Sequence, residues 1–473
     1  MSWSLVNSVT ILISAFIGRL LLGNYLDASS LGILTMTTYL FGIITFVFSF
    51  SLGMAVTKFV AEFKDRPEER NTYVSLALVM SFSFGLIALG VTVALSGWLS
   101  GFYNMPELVR FLPILSITLP TAISLSIFQY MLLGLRELRR YAIITIVSNV
   151  LLLALTAYFL IMGWGLFWVI LTIVITHLIM LPAILLYTKR FYRVSLAKFK
   201  VISLKMLSFS SKIYGANLVS FVQQRADVLI MGFFLAASDI GIYSIALMLP
   251  RILQVIPDAM STVNFPAMSE YHGKGMTEAV EFLVNKSIKY SLIIVSFLGL
   301  ICIFFNEQIL LLLFPGRLEY LQGATAIQIL CAGVIVLPVA SAVAGCFTAA
   351  GRPEIAIIAS LVMTAVAVGL NVLLIKPLGI NGTAIATGAS YLAVSAVSFV
   401  LYRPILKIKA DWVNVTKILL STSGSAMFGI LLGNIVSWYV AGALGLLLWF
   451  LLILLLKCIS REDINYLPAM LRG

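Results

Sequence analysis

Gly23-Asn-Tyr-Leu-Asp-Ala-Ser-Ser-Leu-Gly-Ile-Leu34 lines up without a gap on Gly232-Phe-Phe-Leu-Ala-Ala-Ser-Asp-Ile-Gly-Ile-Tyr243. Six of the twelve positions are identical, and Tyr25/Phe234 and Leu31/Ile240 are close in kind. Each copy lies in a polar break between two long apolar runs. A second, weaker echo pairs Gly163-Trp-Gly165 with Gly379-Ile-Asn-Gly382. The chain therefore repeats itself, and the spacing of the copies sets its architecture.

Apolar runs on either side of these breaks predict helices at 4–25, 31–57, 73–97, 108–133, 141–161, 165–188, 207–234, 240–266, 282–304, 321–348, 355–375, 380–402, 413–436 and 440–458. A helix needs about 20 apolar residues to cross a bilayer. The composition agrees: of 473 residues, 61% are hydrophobic and 11% charged, whereas a soluble domain carries about 25% charged residues. The fold class is an all-α integral membrane protein of about fourteen transmembrane helices.

The strong repeat follows the first helix and again the seventh, so the unit is six helices. Six is even, so both copies cross the membrane in the same sense. That predicts two lobes related by an axis along the membrane normal. The expected organisation is an amino-terminal lobe at 1–188, a cytoplasmic interfacial linker at 189–205, a carboxy-terminal lobe at 206–403, and two extra helices with a tail at 404–473.

Cations collect in the loops after even-numbered helices: Lys58, Lys64, Arg66 and Arg70; Arg136, Arg139 and Arg140; Lys189 to Lys205; Lys274, Arg352, Lys407 and Lys457. Loops after odd-numbered helices hold almost none. By the positive-inside rule both termini are cytoplasmic, and the expected location is the cell membrane. The net charge of +12 is explained by these loops against an anionic leaflet, and no nucleic-acid motif accompanies it.

Several function classes are excluded. No GxxxxGK[ST] motif occurs, so ATP is not the energy source. Cys302, Cys331, Cys346 and Cys458 are scattered in apolar runs, and His177 and His272 are the only histidines. No resident metal or other cofactor is expected. A membrane glycosyltransferase or polymerase needs a large catalytic loop or domain, and no loop here is long enough. The chain reads as a transporter, not an enzyme, with its substrate path between the two lobes.

Ionisable residues at membrane depth are costly and mark function. Arg251 and Asp258 are seven residues apart on nearly one face of the eighth helix, about 10 Å apart along its axis. Pro250, Pro257 and Pro266 punctuate that helix, and freed carbonyls are tolerated where they line a cavity. A mid-depth arginine suits a phosphate, with its planar fork and permanent charge. The competing reading of Arg251 is a salt bridge. Arg225 and Asp227, two apart, point to roughly opposite sides of the seventh helix. Arg19, in the first helix, is either a further anion contact or snorkels to the outer interface.

Fourteen helices, six-helix repeats, Arg19-Leu-Leu-Leu-Gly23 before Leu31-Gly32, Arg225-Ala-Asp227 before Gly232 and Ile240-Gly-Ile-Tyr243, and Gly379-Ile-Asn-Gly-Thr-Ala-Ile-Ala386 together resemble the polysaccharide exporter (Wzx-type) branch of the multidrug/oligosaccharidyl-lipid/polysaccharide (MOP) superfamily. The resemblance covers nearly the whole chain. It implies a flippase that moves a polyprenyl-pyrophosphate-linked oligosaccharide from the inner to the outer leaflet by alternating access. Its partners would be that substrate and membrane lipids, with the glycosyltransferases or polymerase of the same pathway as candidates, and the protein would act as a monomer. Arg19, Arg225 and Arg251 become the expected substrate contacts.

The same resemblance extends to lipid II flippases, whose carboxy-terminal lobe binds sodium. The matching positions are Asp227, Asn371, Thr383 and Thr387. An oxygen-only set suits a hard cation, and a proton on Asp227 is the other coupling ion. The chain lacks a second carboxylate near Asn371, which departs from that pattern. The rival within the superfamily is a multidrug and toxic-compound extrusion antiporter. Such transporters favour acids along their path, whereas here three intramembrane arginines face two aspartates.

Overall fold

The computed structural model describes residues 2–189, 191, 193–195, 199–406 and 411–459. Part of the expected linker, and the tail beyond 459, lie outside the described residues. Every regular element among the described residues is helical. In chain order they are α1 (Ser2–Tyr25), α2 (Ala28–Ser49), α3 (Leu52–Glu62), α4 (Pro67–Phe102), α5 (Leu108–Ser116), α6 (Leu119–Gly134), α7 (Leu138–Ile161), α8 (Leu166–Thr188), α9 (Phe199–Gln223), α10 (Ala226–Phe234) and α11 (Ala237–Ala246). There follow α12 (Met248–Gly273), α13 (Thr277–Phe304), α14 (Asn306–Leu313), α15 (Ala324–Val334), α16 (Leu337–Ala349), α17 (Pro353–Leu406), α18 (Trp412–Leu432) and α19 (Trp438–Leu455).

Nine helices among the described residues are each long and apolar enough to cross a membrane, and three bent pairs raise the number to twelve. The long run α17 counts once there, yet it is broken at Gly379 (φ 55°), which separates two expected spans. The remaining expected span, 207–234, is divided between α9 and α10. The chain is a multi-pass, all-α membrane protein.

The expected helix 31–57 is also two. The run 31–57 breaks where Phe50 (φ 46°) and Ser51 (φ 52°) both take left-handed backbone. Neither Phe nor Ser favours left-handed backbone, so the sequence carried little warning. α5 and α6 meet at a 44° bend and α11 and α12 at 41°.

By contact the chain forms two compact units, Met1–Ser244 and Ile245–Gly473. In the first, α3, α4 and α6 share a core of Phe59, Tyr73, Phe128 and Met131. The described linker residues are fastened to α4. Arg70 donates to the Phe191 carbonyl at 3.2 Å, and the Ser195 amide donates to the Ser75 hydroxyl at 3.0 Å. In the second unit α13 is the most enclosed span, and Val284, Ile288, Val343 and Phe347 form its core with α12 and α16.

Candidate functional site

The repeated sequence folds into two helix starts that pack on each other inside the first unit. Asp27 caps α2, its carboxylate accepting from the Ser30 amide at 3.1 Å. Asp239 does similar work at α11, accepting from the Ala236 amide at 3.2 Å. A Cβ on Gly32 would stand 1.7 Å from the Ala237 carbonyl oxygen, and one on Gly241 would stand 1.9 Å from the Ala28 carbonyl oxygen. Ala28 and Ala237 are themselves repeat partners, so the contact is reciprocal, as a local two-fold relation requires. Only glycine fits at either position.

Arg19 reaches this seam. Its guanidinium donates to the Ser244 hydroxyl at 3.2 Å, and Ser244 in turn donates to the Gly241 carbonyl at 2.7 Å. It is therefore tied to α11. Arg225 stands at the start of α10. Its guanidinium lies where a Gly42 side chain would be, 4.7 Å from the Phe221 ring centre and 5.4 Å from that of Tyr39. Cation–π contacts of this kind stabilise by about 0.5–2 kcal/mol. The half-buried Asp227 accepts from the Val228 amide at 2.7 Å, at the positive end of α10.

The second unit carries a polar stripe along α12. Arg251, Gln254, Asp258 and Ser261 recur every three or four residues, which puts them on one helix face. Arg251 is exposed. Gln254 donates to the Tyr391 hydroxyl at 2.7 Å, the Ser341 hydroxyl donates to Asp258 at 3.4 Å, and Ser261 donates to the Ser341 carbonyl at 3.3 Å. Among the described residues no ion pair joins Asp258 to Arg251. Gln254, Ser261 and Ser341 were not singled out in the sequence, although the three- and four-residue spacing of α12 pointed to the first two.

A second polar group surrounds the Gly379 break. Asn371 and Thr383 are fully buried and Thr387 nearly so. The Asn371 amide donates to the Ala367 carbonyl at 2.8 Å, but its Oδ1 has no partner, nor do Thr383 Oγ1 and Asn381 Oδ1. A Cβ on Gly382 would lie 2.1 Å from the Leu374 carbonyl oxygen. This close approach brings the turn carrying Asn381 and Thr383 to within about one helical turn of Asn371. An unsatisfied buried acceptor costs about 1–3 kcal/mol, so three in one hairpin need a reason. Asn381 lies within the Gly379-Ile-Asn-Gly382 echo of the repeat. Asp227 belongs to the first unit and the other three expected cation ligands to the second. No group of three or more His, Cys, Asp or Glu side chains gathers among the described residues.

The family model described as polysaccharide biosynthesis protein matches residues 1–272, more than half of the chain. The chain belongs to this family. The MatE family model matches residues 213–374. A relative, the probable low-salt glycan biosynthesis flippase Agl15 of Haloferax volcanii, is 29% identical over 174 residues, 36% of each chain. The curated relatives this family member matches are spanned for only 36% and 39% of their length. Among solved structures, the lipid II flippase MurJ in an inward closed conformation aligns with a TM-score of 0.76 at 15% identity, covering 98% of this chain and 100% of that one. An inward-facing multidrug resistance MATE transporter aligns at 0.66 and 15% identity, over 84% and 94%. At such identity these structures show the fold alone.

Proposed function

We propose that the protein is a flippase for a polyprenyl-pyrophosphate-linked oligosaccharide, moving it from the inner to the outer leaflet by alternating access. The observation that carries this reading is the α12 stripe: an exposed arginine heads a polar face of a proline-bearing membrane helix. The family membership and the glycan flippase relative support it. A pyrophosphate head that crosses a membrane must lose most of its water, and an uncompensated anion at low dielectric is very costly. The Arg251 fork offers charge-assisted hydrogen bonds to that head. Asp258 is held by Ser341, so its carboxylate is turned to α16.

Arg19 and Arg225 are assigned supporting contacts. Because Ser244 holds the one and aromatic rings the other, their truncation would also disturb α2 and α11. For coupling, the unpartnered oxygens of Asn371, Asn381 and Thr383 suit sodium, being neutral and hard. Asp227 is the proton-carrying alternative. Membrane lipids surround the protein in the cell membrane, with both termini cytoplasmic, and it works as a monomer beside the glycosyltransferases or polymerase of its pathway.

The test is glycan export in cells that carry variants in place of the wild type. Arg251→Lys keeps the charge and loses the bidentate fork, and should retain partial export. Arg251→Ala should abolish export at normal membrane levels, and Arg251→Ala/Asp258→Ala should remain inactive. Recovery in the double variant would assign Arg251 to charge balance instead. Full export by Arg251→Ala, together with drug efflux, would move the reading to the multidrug antiporter.

A further inference from the structure

The helix pair α18–α19 is joined to α13 in two different ways at its two ends. At one end the joint is dry and tight. The Phe304 ring, 1% exposed, fills the space left by Gly429 and Gly445, where Cβ atoms would stand 2.5 and 2.7 Å away; Gly442 makes room for Phe305 in the same manner. At the other end, where α18 begins beside the third turn of α13, the same joint holds a cavity of about 80 Å³ bordered by Asn285, Lys286, Lys289, Asp411 and Asn414. That volume is several times what one water needs.

The charges there are unequal. Asp411 caps α18, and both its oxygens accept from Asn414, one from the amide at 3.1 Å and one from the side chain. Its own amide donates to Asn285 at 2.8 Å. Against Asp411, and Glu281 a turn before Asn285 on α13, stand Lys286 and Lys289 on the cavity wall and Lys417 on α18. Lys417 donates to the Leu456 carbonyl at 3.2 Å, so it is anchored at the end of α19 and adds positive potential from behind. The start of α18 contributes its helix dipole in the same sense.

The surroundings are those of a membrane interface. Trp412, beside Asp411, packs on Phe399 with ring centres 4.2 Å apart, an arrangement typical of headgroup depth. Lys286 lies 5.5 Å from the ring centres of both Phe282 and Tyr290. Along the outer faces of the pair, Val413, Leu420 and Leu455 are 65%, 66% and 75% exposed, which is suitable for acyl chains. Charge asymmetry of the loops puts this end at the cytoplasmic leaflet, which is rich in anionic lipid.

We propose that the cavity between the third turn of α13 and the first turn of α18 binds the phosphodiester headgroup of an anionic phospholipid, with Lys286 and Lys289 as its charge partners. The lipid completes the polar half of a joint whose apolar half is closed by Phe304. This assignment does not depend on what the protein transports.

The test uses the full chain in nanodiscs of phosphatidylcholine alone or with phosphatidylglycerol, reading thermal unfolding and lipid retained in native mass spectra. Phosphatidylglycerol should raise the unfolding temperature and stay bound. Lys286→Gln/Lys289→Gln should lose that increment and bind phosphatidylglycerol about 30-fold more weakly, from roughly fivefold losses per interfacial lysine, with unchanged stability in phosphatidylcholine. Lys286→Arg/Lys289→Arg should restore it, and Lys376→Gln, an exposed cation elsewhere on the second unit, should behave as wild type. Equal stability of wild type in both lipids, or an undiminished increment in the double glutamine variant, overturns the proposal. Equal stabilisation by inorganic phosphate alone overturns the lipid as the source.

Discussion

The α7–α8 hairpin and the hairpin within α17 carry the same kind of glycine break but dispose of their buried polar groups differently. In α7–α8, the Thr156 and Thr172 hydroxyls meet at 3.2 Å, and the Asn149 amide donates to its own helix at 2.8 Å. Only the single hydroxyls of Ser148 and Thr176 lack partners there. In α17 two amide oxygens and a hydroxyl are buried without partners around Gly379. The two α2-like starts of the repeat, by contrast, have stayed alike, each glycine resting on the other's alanine carbonyl. One part of the repeat has kept its packing, while the other has exchanged satisfied bonding for a set of available oxygens. These are the oxygens to which we assign the proposed coupling cation.

The sharpest way to break this comparison is to remove one oxygen from each hairpin. Asn371→Leu should cut sodium-dependent export by at least about tenfold while leaving thermal stability equal or higher, because an unpartnered acceptor costs about 1–3 kcal/mol. Thr156→Val should do the reverse, losing about 1 kcal/mol of stability with the Thr156–Thr172 bond while Thr172 keeps its bond to the Val169 carbonyl, with export intact. Export and stability falling together in both variants would erase the distinction. If export shows no sodium dependence and instead follows pH until Asp227→Asn removes the effect, the coupling ion is the proton.

At the repeat seam, Gly32→Val and Gly241→Val should each cost about 1–3 kcal/mol, since backbone carbonyls must move. Their effects should be similar because the contact is reciprocal. Strongly unequal losses, read by thermal unfolding in detergent, would show that the two sides are not equivalent. The smallest effect is expected at Asp27, whose replacement by Ala should cost about 1 kcal/mol of capping or less. Burial raises its carboxyl, but hydrogen bonds from the Ser30 side chain and amide and from neighbouring amides outweigh this and hold it below its ordinary 3.8. A depressed carboxylate stabilises the fold above its unfolded pKa. Its contribution should therefore fade as pH drops below about 3.8, and Asp27→Asn should not show that fading.

The helices and most of their breaks were legible because apolar length and glycine are local signals. Gly32 and Gly241 were legible because they repeat. The break at Phe50–Ser51 was not, since neither residue favours left-handed backbone and tertiary packing imposes it. Where each arginine rests was also hidden: Arg19 at Ser244 and Arg225 under Gly42 are contacts between distant segments. Asn381 was visible in the Gly379-Ile-Asn-Gly382 echo, but nothing local showed that its oxygen is buried without a partner. Asp258 was expected either to pair with Arg251 or to share its cavity, and Ser341, 83 residues away, was not predictable from helix spacing.

The most direct test of the central claim is transbilayer movement in proteoliposomes of two lipids with the same glycan and polyprenyl chain, one joined through pyrophosphate and one through a neutral link. The account predicts that the wild type moves the pyrophosphate lipid much faster and that Arg251→Ala removes the difference. Equal rates for both lipids with the wild type, or an undiminished preference in Arg251→Ala, would contradict it.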